Sequence, residues 1–175
     1  MMSVIEVDER VSAPDDVPAD AAASRRAGRW ILAAMCAALV AVVASVSGLN
    51  VATEALANDL GASQSQLLWV INGYTIALAA LLLPIGAIGD RWGRKKVLIV
   101  GLVVFVAANL AAAFATSMNM LLVTRVIGGV AAAMIMPVTL SVITSTFAAE
   151  ERDRAVGVWA GFAGAGGILG LFASA

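Results

Sequence analysis

The sequence predicts an all-α, polytopic membrane protein of about five transmembrane helices, and three observations carry that prediction. The 175 residues are 61% hydrophobic and 13% charged, with a mean hydropathy of +0.94, far from the balance of a soluble domain. The apolar residues gather into five runs, each about long enough for a helix to cross a bilayer. The charges fall almost entirely between those runs. Strands are excluded, because unpaired backbone cannot sit in lipid and no run alternates with period two.

The elements follow in order. Residues 1–24 hold Glu6, Asp8, Glu9, Asp15, Asp16 and Asp20 with Pro14 and Pro18; that is too acidic to bury a core and reads as a disordered tail. Arg25, Arg26 and Arg29 then open a transmembrane region over 25–175. A twin-arginine export signal is the competing reading, disfavoured by the Ala27-Gly28-Arg29 continuation, the length of the apolar run and the lack of a small-x-small cleavage site. Cys36 lies too early in that run for a lipoprotein site. The first helix is expected over 30–53, the second over 67–89, the third over 97–116, the fourth over 120–147 and the fifth over 155–175.

The basic residues set the orientation. Arg10, Arg25, Arg26 and Arg29 lie before the first helix, Arg91, Arg94, Lys95 and Lys96 after the second, and Arg152 and Arg154 after the fourth. The opposite loops, 54–66 and 116–119, contain no Lys or Arg. Positive charge stays inside, so the N-terminus is expected in the cytoplasm of a multi-pass protein of the cell membrane. Trp30, Trp69, Trp92 and Trp159 are expected near helix ends as interface anchors.

Between the second and third helices runs Gly86-Ala87-Ile88-Gly89-Asp90-Arg91-Trp92-Gly93-Arg94-Lys95-Lys96. So many charges place this turn at a membrane surface. Any cytoplasmic loop collects Arg and Lys, which accounts for the basic residues but not for Asp90 or for Gly86, Gly89 and Gly93. The pattern resembles the signature loop between the second and third helices of major facilitator superfamily transporters. That resemblance covers nearly everything from Trp30 onward and implies part of the N-terminal half of a fold built from two six-helix halves around a midplane cavity. It also implies that Asp90 faces a helix of the second half. Glu150-Glu151-Arg152-Asp153-Arg154 resembles the family as well, and its carboxylates are placed to pair with Arg94 across the surface as a latch between transport states.

Arg125 is the charge that lies well inside a predicted span. A buried Arg costs a few kcal/mol or more, so it faces a cavity or a partner; snorkelling towards the nearer surface is the alternative that topology leaves open. Arg125 and Gly129 resemble the R-x-x-Q-G motif of drug antiporters in the superfamily, which implies a part in proton transfer. Gly128 stands at the Gln position. The last predicted helix carries Gly157, Gly161, Gly164, Gly166, Gly167 and Gly170. Gly157/Gly161 and Gly166/Gly170 are G-x-x-x-G pairs, which let helices approach closely. Gly157, Gly166 and Gly170 also resemble the first three glycines of the antiporter motif of the fifth helix, where Leu171 replaces its Pro.

Asn50, Asp59, Trp69 and Tyr74 resemble the first two helices of the fourteen-helix drug:proton antiporter branch. The resemblance places acids where this chain has Ser45 and Asn72, and a Pro where it has Glu54. Asn50, Asn72 and Tyr74 remain candidates for hydrogen-bonding a substrate, with Thr75 beside them; generic contacts between helices are the alternative.

Two function classes stay open. The first is a secondary transporter, coupling efflux of a hydrophobic or cationic small molecule to protons, or an N-terminal fragment of one that needs its C-terminal half. The second is a non-transporting membrane protein, a truncated relic or a helix-packing partner. The missing acids and the stop at Ala175 point to the second, the Asp90 turn and Arg125 to the first. An enzyme is not expected, since no nucleophile–base pair or phosphate loop occurs. No cofactor or metal is expected either: there is no His, and Cys36 is the one Cys. The net charge of -1 gives no reason to expect nucleic acid.

Overall fold

The structure, a computed structural model, describes residues 19–173, with side chains over 26–48 and 61–172. Most of the acidic tail, together with Asn50, Glu54 and Asp59, lies outside the described residues or side chains. Among the described residues five helices follow one another: α1 (Ala19–Leu60), α2 (Gln64–Trp92), α3 (Arg94–Ala113), α4 (Met118–Thr146) and α5 (Ala149–Ala173). All five are long and apolar enough to cross a membrane, α1 over Arg26–Gly48.

The helices run past the limits that hydropathy suggested, because hydropathy marks the stretch that lipid accepts while hydrogen bonding marks the helix. α1 takes in residues 19–24 of the expected tail and continues to Leu60, where Gly61 turns the chain with φ +60. α2 starts at Gln64 because Ser63 and Gln66 form a capping box: the Ser63 hydroxyl accepts from the Gln66 amide, and the Gln66 side chain accepts from the Ser63 amide at 3.0 Å. Ser117 caps α4 in the same way, accepting from the Met120 amide. α5 begins at Ala149, so Glu150–Arg154 forms its exposed first turns rather than a loop, with Glu150 and Glu151 favourably placed at the positive end of the helix.

The eleven-residue charged stretch is likewise helical except at one position. α2 runs to Trp92 and α3 starts at Arg94. Gly93 alone makes the turn, at φ +97, a conformation L side chains rarely adopt.

α4 is the centre of the bundle, packed most extensively on α2 and α3, while α5 packs on α1. Ala131, Ala132, Ala133, Ile135 and Ile143 of α4 are fully enclosed. Small residues set these contacts: a Cβ on Gly101 of α3 would come within 2.8 Å of the Met134 Cβ. The α1–α5 contact rests on Gly166 and Gly170, where added Cβ atoms would lie 3.1 Å from the Val40 Cα and 2.5 Å from the Ala44 carbonyl oxygen. The other G-x-x-x-G pair is not used in this way: Gly157 and Gly161 have nothing within 4 Å. Trp30, Trp69 and Trp92 are exposed, as interface anchors are. Trp159 departs from that expectation, since it lies well inside α5 and packs on the core.

Candidate functional site

Arg125 sits seven residues into α4, about 10 Å along the helix axis at 1.5 Å per residue. Its side chain is 5% exposed, so it turns into the bundle and does not reach for the surface. The guanidinium carbon lies 4.4 Å from the ring centroid of Tyr74 on α2, a stacking worth about 2 kcal/mol when desolvated. Gly128 and Gly129 make that approach possible. Gly128 lies against the Tyr74 ring, and a Cβ on Gly129 would fall on the Tyr74 carbonyl oxygen.

Two further helices complete the cluster. Arg125 Nη1 donates to Ser45 Oγ of α1 at 3.4 Å. The Ser45 hydroxyl donates to Asn109 Oδ1 of α3 at 2.6 Å, and the Asn109 amide donates to the Phe105 carbonyl at 2.8 Å. Each step fixes the next: because the Ser45 proton goes to Asn109, a hydroxyl lone pair is left for Arg125. Arg125 Nε and the Tyr74 hydroxyl are buried and have no hydrogen-bond partner among the described residues. The described carboxylates, Asp90, Glu150, Glu151 and Asp153, are all exposed and none pairs with Arg125.

Asn72 does not join this cluster. It is exposed on α2 while Tyr74 is 1% exposed, since residues two apart on a helix lie on nearly opposite sides. Thr75 is exposed as well. The Asn50 side chain lies outside the described residues. Asn109 was not singled out from sequence, although an amide in the middle of the apolar run 97–116 is a signal by itself.

The second arrangement is at the far end of α4. Arg94 Nε and Nη2 both donate to Asp90 Oδ1 at 3.2 Å, and Nη1 donates to the Ser141 carbonyl at 3.1 Å. Arg94 therefore ties the α2–α3 turn to the C-terminal part of α4, where positive charge complements the helix dipole. The expected pairing of Arg94 with Glu150 or Glu151 is not formed; Asp90, one turn away on the same surface, takes its place. Gly86 and Gly89 bring α2 onto α4, where added Cβ atoms would lie 3.7 Å from Pro137 and 3.3 Å from Val138. Arg91 and Lys95 are exposed.

Comparison with known proteins follows the same lines. Residues 33–175 match the family model of the Major Facilitator Superfamily. The chain is 45% identical over 132 residues to the methyl viologen resistance protein SmvA of Salmonella typhimurium, covering 75% of this chain and 26% of that protein. It is 38% identical over 143 residues to the multidrug efflux pump LfrA of Mycolicibacterium smegmatis, covering 81% and 28%. In fold it is similar to the crystal structure of a bacterial homologue of the human lysosomal transporter Spinster, in an inward-facing, unoccupied conformation, with a TM-score of 0.75 at 20% identity over 82% of this chain and 30% of that one. The chain thus spans about a quarter to a third of the length of these relatives. On the family match and these identities, this chain belongs to the major facilitator superfamily.

Proposed function

We propose that this chain works as the N-terminal portion of a secondary transporter that exports a hydrophobic or cationic small molecule in exchange for protons. The observation that carries this reading is the buried Arg125, in a side-chain cluster drawn from four helices, in a member of a superfamily whose similar proteins are named for methyl viologen resistance and multidrug efflux. A permanent charge is costly inside a membrane and is retained where it acts. Arg125 and Tyr74 serve as cavity residues, the Asp90–Arg94 pair as the cytoplasmic latch, and the N-terminus lies in the cytoplasm of the cell membrane. The second reading, a membrane protein without transport, draws on Ser45 and Asn72, which stand where the resemblance expects acids.

Uptake by the parent separates the two readings, and Arg125→Leu tests the part Arg125 plays in the first. Removal of an intramembrane charge eases insertion, so the variant is expected to express as well as the parent or better. Proton-driven uptake of methyl viologen by everted membrane vesicles carrying the full-length protein is expected to be abolished. Near-normal uptake by the Leu variant would leave Arg125 a packing residue and overturn its assignment to the cavity; no uptake by the parent itself would overturn the transporter reading.

A further inference from the structure

We infer that the Arg125 cluster is a binding site for a small monovalent anion, of carboxylate or halide type. The argument rests on what surrounds the guanidinium. Among the described residues the polar side chains on it, Ser45 and Tyr74, are neutral, and so is Asn109 behind Ser45. Among the described residues no carboxylate comes near, and the acids present are exposed around the cytoplasmic ends of the helices. A buried cation without a counter-charge is strongly disfavoured, and the Tyr74 ring face compensates only part of a full charge.

The geometry also leaves buried donors without an acceptor among the described residues. Stacking on Tyr74 occupies the face of the guanidinium and leaves its edge in play. On that edge Nη1 is held by Ser45, while Nε, fully buried, has no partner. The Tyr74 hydroxyl, on the other member of the same stacked pair, is buried and unpartnered too. A guanidinium edge and a phenol hydroxyl are the donor set of a carboxylate or halide site. Ser45, bonded to Nη1, occupies the place where a carboxylate would neutralise the guanidinium. The anion takes that role, so the site is loaded from solution or by the carboxylate of a bound molecule. This goes beyond the efflux reading and does not depend on it, since binding is measured without transport.

Tyr74 is the one tyrosine of the chain, so 3-fluorotyrosine labelling gives a single fluorine resonance next to the site. The full chain in lipid nanodiscs is titrated with sodium acetate and, separately, sodium chloride, with ionic strength held by sulfate. The expected result is a saturable shift of that resonance. A response to acetate alone assigns the site to carboxylates; a response to chloride assigns it to inorganic anions. Ser45→Asp supplies an internal carboxylate and is expected to weaken anion binding by about tenfold or more, with its anion-free resonance moved towards the anion-bound position of the parent. Flat titrations with both anions, or a titration unchanged by Ser45→Asp, overturn the site. Loss of methyl viologen uptake bears on the efflux reading alone.

Discussion

In α4, adjacent Gly128 and Gly129 lie against Tyr74 of the neighbouring helix; in α5, Gly157, Gly161 and Gly164 have nothing within 4 Å. Half of the most apolar stretch of α4 is buried, against 17% of that of α5. Both helices are built from small residues. In α4 these residues are the means by which a charged side chain and an aromatic ring are brought together inside the bundle. In α5 they serve two ends. Gly166 and Gly170 seat the helix on α1, while the glycines before them lie on an open side. A small residue permits close approach, and the neighbouring surface decides whether the approach happens.

The contrast can be broken or sharpened by substitution. The largest effect on stability is expected at Gly129. A valine there must displace the Tyr74 backbone, and overpacking of this kind costs about 3 kcal/mol at its upper end. Unfolding of purified protein by denaturing detergent is expected to shift accordingly, with the stacking of Arg125 on Tyr74 broken; an unshifted midpoint would show that α2 gives way freely. Gly170→Leu comes next, at about 2 kcal/mol, because its Cβ would meet the Ala44 backbone and, at 2.8 Å, the Ser47 Cβ. Its signature is specific: α5 should detach from α1, so that a cysteine pair placed across that interface no longer crosslinks, while the packing of α2 on α4 stays intact.

Asp90→Asn is expected to be small in stability and large in activity. The pair it breaks is exposed, with the Asp90 side chain 64% accessible, and exposed pairs contribute about 0–1 kcal/mol. Efflux by the full-length protein is nonetheless expected to fall sharply, since the Asp90–Arg94 tie is proposed to differ between transport states. Wild-type efflux would reduce the motif to a topology signal. The smallest effect is expected at Gly157→Ala, within about 0.5 kcal/mol of the parent in the same unfolding assay. A clear destabilisation there would mean that the open side of α5 is covered after all, and the contrast with α4 would narrow.

These differences mark how far the residues could be read without the fold. Helix number and order were legible because hydropathy and charge placement are properties of short stretches. The boundaries were less so. The capping box of Ser63 and Gln66 and the cap at Ser117 are polar signals lying outside the apolar runs, and they extend α2 and α4 beyond them. Arg125 stood out as the charge in an apolar run. Asn109, joined to it through Ser45, carries a weaker version of the same signal, a neutral amide in an apolar run. Asn72 and Tyr74 looked equivalent as polar groups in one helix; the rotation of α2 against α4 buries one and exposes the other.

By itself, the sequence determined that this protein is a set of apolar helices with its charge kept to their ends, apart from one arginine. Those are consequences of what a hydrocarbon environment accepts, residue by residue. Tertiary structure alone decided which glycine pair is used, that Arg94 ties Asp90 to α4 instead of reaching α5, and that Arg125 meets Tyr74 and, through Ser45, is linked to Asn109. Each of those outcomes joins residues distant in the chain, and depends on how the helices are rotated against one another. Rotation is fixed by side-chain fit between surfaces, which no local pattern of hydropathy specifies.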